Sequence, residues 1–316
     1  MTAPTGAVYD RGYRPYDGPR GGRRAATLAL YRTSLRRAIG LRRPWRQKVA
    51  PAVLLAIAVV PAIINVGIGY LTRDTPAEGF EFITYREYLG VSSALLLFVA
   101  LVAPDIVCPD RRQRVLPLIF ARPLTGRDYG LAKVGAIFTC VFAFSFLPQV
   151  VLYVGQMLVS KGALDYLSDN TAVLWQVPIA AALLALFYSM LGVAVASLSG
   201  RRMVAGATML GITLVSSAVS GILIEADAGP DPGPAPGPGA GPGPGPGPQI
   251  TTGHPAGLLN ILATPLRLRD LVFLGRIAED SPLSGVTGGG AMSVAVYVAV
   301  VALCAGVILA RYRTAE

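Results

Sequence analysis

"DRRQRVLPLIFARPLTGRDYGLAK", residues Asp110–Lys133, separates two long apolar runs, and the way it is read decides the fold. It carries six basic and two acidic residues around an apolar knot, Val115–Ala121. That knot is far shorter than the roughly twenty apolar residues needed to cross a bilayer. Pro117 and Pro123 bracket a short turn of helix within it. If the flanking runs lie in lipid, the segment is a loop held at one membrane face, with greasy side chains that something must cover. Lipid, the protein's own bundle and a soluble partner are the three candidates.

Working outward, six apolar runs are long enough to span a hydrocarbon core about 30 Å thick. They cover Ala50–Leu71, Leu89–Cys108, Val134–Val159, Val173–Leu198, Met203–Ile224 and Ala291–Ala310. Composition agrees: of 316 residues, 53% are hydrophobic and 15% are charged, well below the charge of about 25% usual in a soluble domain. The expected fold is therefore an all-α membrane protein of six transmembrane helices. Pro61, Pro104, Pro148 and Pro178 fall inside or near the ends of these runs. In a membrane bundle they read as kinks whose freed carbonyls are satisfied by neighbours.

Charge sets the orientation. Residues 1–49 carry twelve basic and two acidic side chains, whereas Thr72–Tyr88 carries two basic and four acidic. The opening stretch is again basic. The next connection holds Lys161 against Asp165 and Asp169, and the turn after it is Gly200-Arg201-Arg202. Glu225–Gly290 has three arginines and six acids, and Arg311 and Arg313 follow the last run. The basic excess alternates, which predicts cytoplasmic N and C termini and puts Asp110–Lys133 in the cytoplasm. The net charge of +10 thus reflects topology rather than nucleic-acid binding. No cleavable signal peptide is evident, because the first apolar run starts late and is long.

The domain plan has four parts. A basic N-terminus covers residues 1–49. The first five spans, 50–224, include the loop 109–133. An outer loop occupies 225–290, and the last span and tail occupy 291–316. Within the N-terminus, Leu28, Tyr31, Leu35 and Ala38 share one helical face, while Arg24, Arg32, Arg36, Arg37 and Arg43 lie largely elsewhere. This spacing suits an interfacial helix against membrane lipid; a plain basic topology anchor is the alternative. In the outer loop, "GPDPGPAPGPGAGPGPGPGP", Gly229–Pro248, lies in a spacer of residues 229–249 that lacks the Gly period of collagen and reads as disordered. The Gly257–Ile277 stretch, broken by Pro265 and four charges, reads as short helices at the outer surface.

Asp110–Lys133 resembles the first cytoplasmic loop of the permease subunits of ATP-binding cassette transporters of the type 2 exporter family. The matching features are Asp110, the apolar run Leu116–Phe120, "ARP" at Ala121–Pro123, "TGRDY" at Thr125–Tyr129, and Lys133 opening the third span. Where many members carry a Glu and a Gly-Thr pair, this chain reads "RRQRV" at Arg111–Val115. The six-span plan, the amphipathic N-terminal helix and the long outer loop are also similar. The resemblance implies a permease in a bacterial cytoplasmic membrane. It would work with a cytoplasmic ABC ATPase in two copies and with a second permease, identical or homologous. Coupling residues would be Asp110, Arg111, Arg114, Leu116, Leu118, Ile119, Phe120, Arg122 and Pro123. Leu28, Tyr31, Arg32, Leu35 and Arg36 would form the interfacial helix.

The chain has no GxxxxGK[ST] loop, so ATP and Mg would belong to the partner and no cofactor to this chain. "GVTGGG", Gly285–Gly290, follows no strand and reads as a hinge. The single histidine, His254, has no cysteine near it, and Cys108, Cys140 and Cys304 read as packing residues. Asp105, near the inner end of the second span, suggests pairing with a loop arginine. The chain is therefore not expected to be an enzyme. Asn65, Ser145, Gln149, Gln156 and Gln176 either bond between helices or line a path. The other function considered is a non-transporting membrane scaffold or assembly partner.

Overall fold

A computed structural model describes residues 21–40, 45–73, 83–89, 92–121, 123–228 and 253–313. The first twenty residues, Arg43, Arg122 and the Gly/Pro spacer lie outside them. Among the described residues the fold is all-helical. Six helices are long and apolar enough to cross a membrane: α2 (Trp45–Thr72), α4 (Ser92–Arg112), α6 (Gly126–Val159), α8 (Thr171–Leu198), α9 (Arg202–Ala228) and α11 (Gly289–Arg313). Shorter helices join or flank them: α1 (Arg23–Ala38), α3 (Tyr85–Tyr88), α5 (Leu116–Phe120), α7 (Ala163–Asp169) and α10 (Thr264–Leu274). The helices continue through Pro61, Pro104, Pro148 and Pro178.

The apolar runs become helices because only helices satisfy every backbone group within one segment in lipid. α4 and α8 form the centre, with 75% and 72% of their apolar windows buried; α2, α9 and α11 bury only 17%, 17% and 22% and surround it. α6 packs on α8, α1, α2, α4 and α11. Small residues bring the backbones together, as membrane helices require when apolar side chains gain nothing by leaving lipid. A Cβ at Gly206 would stand 2.8 Å from the Ala100 carbonyl oxygen, and one at Gly192 2.6 Å from Val99 Cγ1. Phe98 stacks on Phe144, and Phe187 on Tyr297, inside the same core.

The two ends of the bundle differ. At one end, referred to here as the Asp110 end, lie α1, the last turn of α4, α5, the first turns of α6, the α8–α9 turn and the last turn of α11. Arg111 donates to the Ser197 carbonyl, Arg202 pairs with Asp105 at 3.4 Å, and Gly126 lies against Tyr312. The other end carries α3, α7, a short 3-10 turn (Pro255–Leu259) and α10 as a cap. There Tyr85 and Tyr166 share a hydroxyl bond at 2.6 Å, and Ser220 donates to the Ala256 carbonyl at 3.0 Å. The short helices anticipated in Gly257–Ile277 are this 3-10 turn and α10.

One boundary moves substantially. The third span was expected from Val134, but α6 begins at Gly126 and takes in the polar "GRDYGLAK". One local and one tertiary cause account for this. Thr125 and Asp128 form a capping box that satisfies the first N–H groups, and the Lys133 charge is neutralised within the bundle. The loop proper therefore shrinks to residues 113–125. α1 has its own set of contacts. It packs on α6 and α4, burying Ser34 and Ala38, while Leu28 remains 46% exposed.

Candidate functional site

The Asp110 end is organised around one carboxylate. Asp110 is 2% exposed and Lys133 1%. Lys133 Nζ lies 2.6 Å from Asp110 Oδ2 and donates to the Ile106 carbonyl at 3.0 Å. The Tyr129 hydroxyl donates to the same Asp110 oxygen at 2.9 Å, and Arg37 Nη1 to Oδ1 at 2.8 Å. Residues from α1, α4 and α6 thus meet on a single side chain. A buried charge is tolerated only when paired and hydrogen-bonded, and these three donors meet that condition. A second tie holds the start of α1. Arg23 grips Asp128 with Nε at 2.6 Å and Nη2 at 3.0 Å, and Nη2 also reaches Thr125 Oγ1 at 3.1 Å.

Between these ties the loop turns outward. Arg114 adopts φ +53°, a left-handed conformation unusual for a side-chain-bearing residue. α5 follows directly. Leu116, Ile119 and Phe120 are half-buried and pack on the core, with Phe120 beside the Tyr129 ring. Leu118 points away and is 72% exposed; Pro117 and Pro123 are exposed as well. A groove of about 290 Å³ runs between α1 and this loop, with Leu30, Val115, Leu118, Ile119 and Leu124 on its walls and Arg37 at its side. The apolar knot is therefore covered in part by the bundle itself, and Leu118 is the part left open.

The nine residues singled out in the loop consequently separate. Asp110 is interior and presents almost no surface to a partner, so its contribution is to hold α1, α4 and α6 together. Arg111 is half-buried on the Ser197 carbonyl. Arg114, Leu118 and Pro123 face outward, while Leu116, Ile119 and Phe120 form the base of the knob. Arg122 lies outside the described residues. In α1, Leu28, Arg32 and Arg36 are exposed, and Leu35 is half-buried. Tyr31 shares a hydroxyl bond with Thr139 of α6 at 2.9 Å.

Two of the polar residues inside the spans reach the opposite end of the bundle. Asn65 donates to the Ile83 carbonyl at 2.7 Å, and Gln149 to the Tyr85 carbonyl at 3.2 Å, so both amides anchor the α3 segment. Ser145 is buried in α6, and a Cβ added at Gly69 would stand 3.2 Å from Gln156 Oε1. Gln176 is half-buried in α8. Asp105 has its arginine, Arg202. His254 lies 2.9 Å from Asp227. Among the described residues, no group of three or more His, Cys, Asp or Glu side chains is placed to hold a metal ion.

The cap has its own charges. Asp270 accepts from Arg269 at 2.6 and 2.9 Å and faces Arg86 at 3.9 Å. Burial pushes its carboxyl above the usual range, against the pull of both arginines. Arg267 is buried on the Gly257 carbonyl at 2.5 Å, and burial brings its guanidinium down to about 10.

Sequence reasoning did not find Arg37, Tyr129 or the Arg23–Asp128 clamp. The available signal was the T-x-x-D pattern at Thr125–Asp128, which marks the helix start and so draws Lys133 into α6. No family model matches this chain, and no curated protein matches its sequence.

Proposed function

We propose that this chain is the membrane-spanning permease subunit of an ATP-binding cassette transporter of the exporter type. The observation that carries the reading is α5. It is a short helix at the basic end of a six-span bundle, rooted by Leu116, Ile119 and Phe120 and offering Leu118 to the outside beside an apolar groove. In this reading Leu118 and the groove beside it form one apolar contact for a partner. The basic residues gathered at the same end support a cytoplasmic placement, where an ATPase resides.

In this reading, two permeases enclose a path and two ATPase subunits bind Mg-ATP beneath them. Closure of the ATPases pushes on α5. The Asp110–Lys133–Arg37 cluster makes α1, α4 and α6 respond together rather than letting the loop flex alone. This chain carries force and performs no bond chemistry. The poor burial of α2, α9 and α11 supports contact of these helices with lipid or a second copy.

The test is co-purification of the full chain from its native membrane, followed by ATP turnover. The wild type is expected to bring down an ATPase with a phosphate-binding loop. Leu118→Asp, at an exposed position, is expected to abolish that association and the turnover while leaving the chain's unfolding midpoint unchanged. Retention of a fully active complex by Leu118→Asp refutes the coupling role. Absence of any bound ATPase favours the scaffold alternative.

A further inference from the structure

A cleft of about 540 Å³ lies on the other side of α1 from the groove beside α5, between the first half of α1 and the first turns of α6. Two ties hold the helices around it. Arg23 grips Asp128, and the Tyr31 hydroxyl meets that of Thr139. The lining combines apolar surface with charge. Leu28 and Leu131 are 46% and 70% exposed there, and Arg24, also exposed, lies beside them. Arg24 stands one turn before Leu28 on α1, and the exposed Arg127 stands one turn before Leu131 on α6. Residues four apart share a helix face, so each helix presents a guanidinium followed by a leucine. The acid in the lining, Asp128, is neutralised by Arg23.

We propose that this cleft binds an anionic glycerophospholipid, its phosphate between Arg24 and Arg127 and one acyl chain along Leu28 and Leu131. Position favours lipid over a soluble protein. α6 has 34 residues, about 51 Å of helix, against a hydrocarbon core of about 30 Å. Its ends therefore stand among headgroups. Arg127, in the first turn, falls at the level of the phosphates, and Leu131, one turn further into the span, falls at the start of the acyl chains. Leu118 differs in this respect, because α5 lies in a loop outside the spans. Charge favours the anionic class. Guanidinium groups hold phosphate oxygens with paired donors, whereas a choline headgroup brings a cation of its own toward the two arginines. A lipid seated here covers both leucines and fastens α1 to α6 between the two existing ties. The proposal goes beyond the coupling role of α5 and does not depend on it.

The experiment uses the full chain in nanodiscs of phosphatidylcholine, alone or mixed with phosphatidylglycerol. Phosphatidylglycerol retained after extraction is counted by native mass spectrometry, and the unfolding midpoint is measured in both bilayers. The wild type is expected to retain phosphatidylglycerol in preference to phosphatidylcholine and to unfold at a higher temperature when it is present. Arg24→Gln/Arg127→Gln is expected to weaken that retention about tenfold or more and to lose the rise in midpoint, with an unchanged midpoint in phosphatidylcholine alone. Arg112→Gln/Arg201→Gln removes the same charge from the same end of the bundle, away from the cleft, and is expected to behave as the wild type. Arg24→Lys/Arg127→Lys keeps the charge and is expected to keep most of the lipid. The proposal is overturned if the Arg24/Arg127 glutamine pair retains phosphatidylglycerol as the wild type does. It is also overturned if both glutamine pairs lose it equally, which marks diffuse surface attraction, or if lysine and glutamine at Arg24 and Arg127 lose it equally, which marks a disturbed fold. None of these readouts involves an ATPase, so failure here leaves the coupling reading of α5 untouched.

Discussion

Replacing Lys133 with methionine tests the centre of the Asp110 end. The substitution keeps most of the side-chain volume and removes one charge from a pair that is 1% and 2% exposed. Removing one partner of a buried ion pair costs about 3–5 kcal/mol, mainly because the other charge is left uncompensated. Here Asp110 keeps Arg37 and Tyr129, and Arg37 approaches from the half-exposed side, so the lower end, about 3 kcal/mol, applies. That corresponds to roughly a hundredfold or more in the ratio of folded to unfolded protein. Asp110→Asn strands the ammonium instead and is expected to cost a similar amount. The double variant should be less damaged than the sum of the two, because neither charge is then alone. Unfolding in mixed micelles can be followed with a thiol-reactive dye in a Cys140→Ser background, since Cys140 is only half-buried whereas Cys108 and Cys304 are buried and react when the bundle opens. The reasoning is refuted if Lys133→Met lies within about 0.5 kcal/mol of the wild type, or if the two losses simply add.

Four further outcomes follow from the geometry. Gly126→Ala places a Cβ 2.7 Å from the Tyr312 carbonyl oxygen, a backbone atom that cannot step aside; it should destabilise by about 1–3 kcal/mol in the same assay. Arg114→Gly relieves a left-handed side-chain-bearing residue at φ +53°, so unfolding measurements should show no loss of stability. Asn65→Ala removes the donor to the Ile83 carbonyl and should cost about 1–3 kcal/mol, visible as faster hydrogen exchange in residues 83–89. Asp270 has a raised carboxyl pKa, so the folded cap holds this proton more tightly than the unfolded chain does. Its contribution is full below the ordinary carboxylate range and is lost as pH rises through the folded value; hydrogen exchange of residues 253–288 against pH should show that dependence, and Asp270→Asn should flatten it.

The six spans were legible because bilayer thickness imposes a length that few alternatives satisfy, and each apolar run announces itself without reference to any other. The start of α6 was harder to place. "GRDYGLAK" is polar enough to read as loop, and it is helical because of a local cap at Thr125 and a distant acid at Asp110. The same distinction explains the loop residues. Periodicity indicates that Leu116–Phe120 is one helical turn, but which side faces the bundle depends on where α4 and α6 deliver its two ends. α1 shows the effect most clearly. Its arginine and leucine spacing suits a helix on lipid, but that spacing does not reveal that Ser34 and Ala38 are buried where α1 packs on α6 and α4. Asn65 and Gln149 could have lined a path by composition. Their partners are backbone carbonyls of α3 and its approach, a match that no side-chain pattern encodes.

The hub on Asp110 has a consequence for biogenesis. The polypeptide leaves the ribosome in order, so Arg37 is already at the membrane when Asp110 is threaded into the insertase, and the ammonium of Lys133 arrives only with the following span. The Asp110 pair needs both of these partners, and the seam between Gly126 and Tyr312 needs the final helix. A chain cut between those points lacks the Lys133 partner of Asp110 and the Tyr312 backbone that Gly126 packs against.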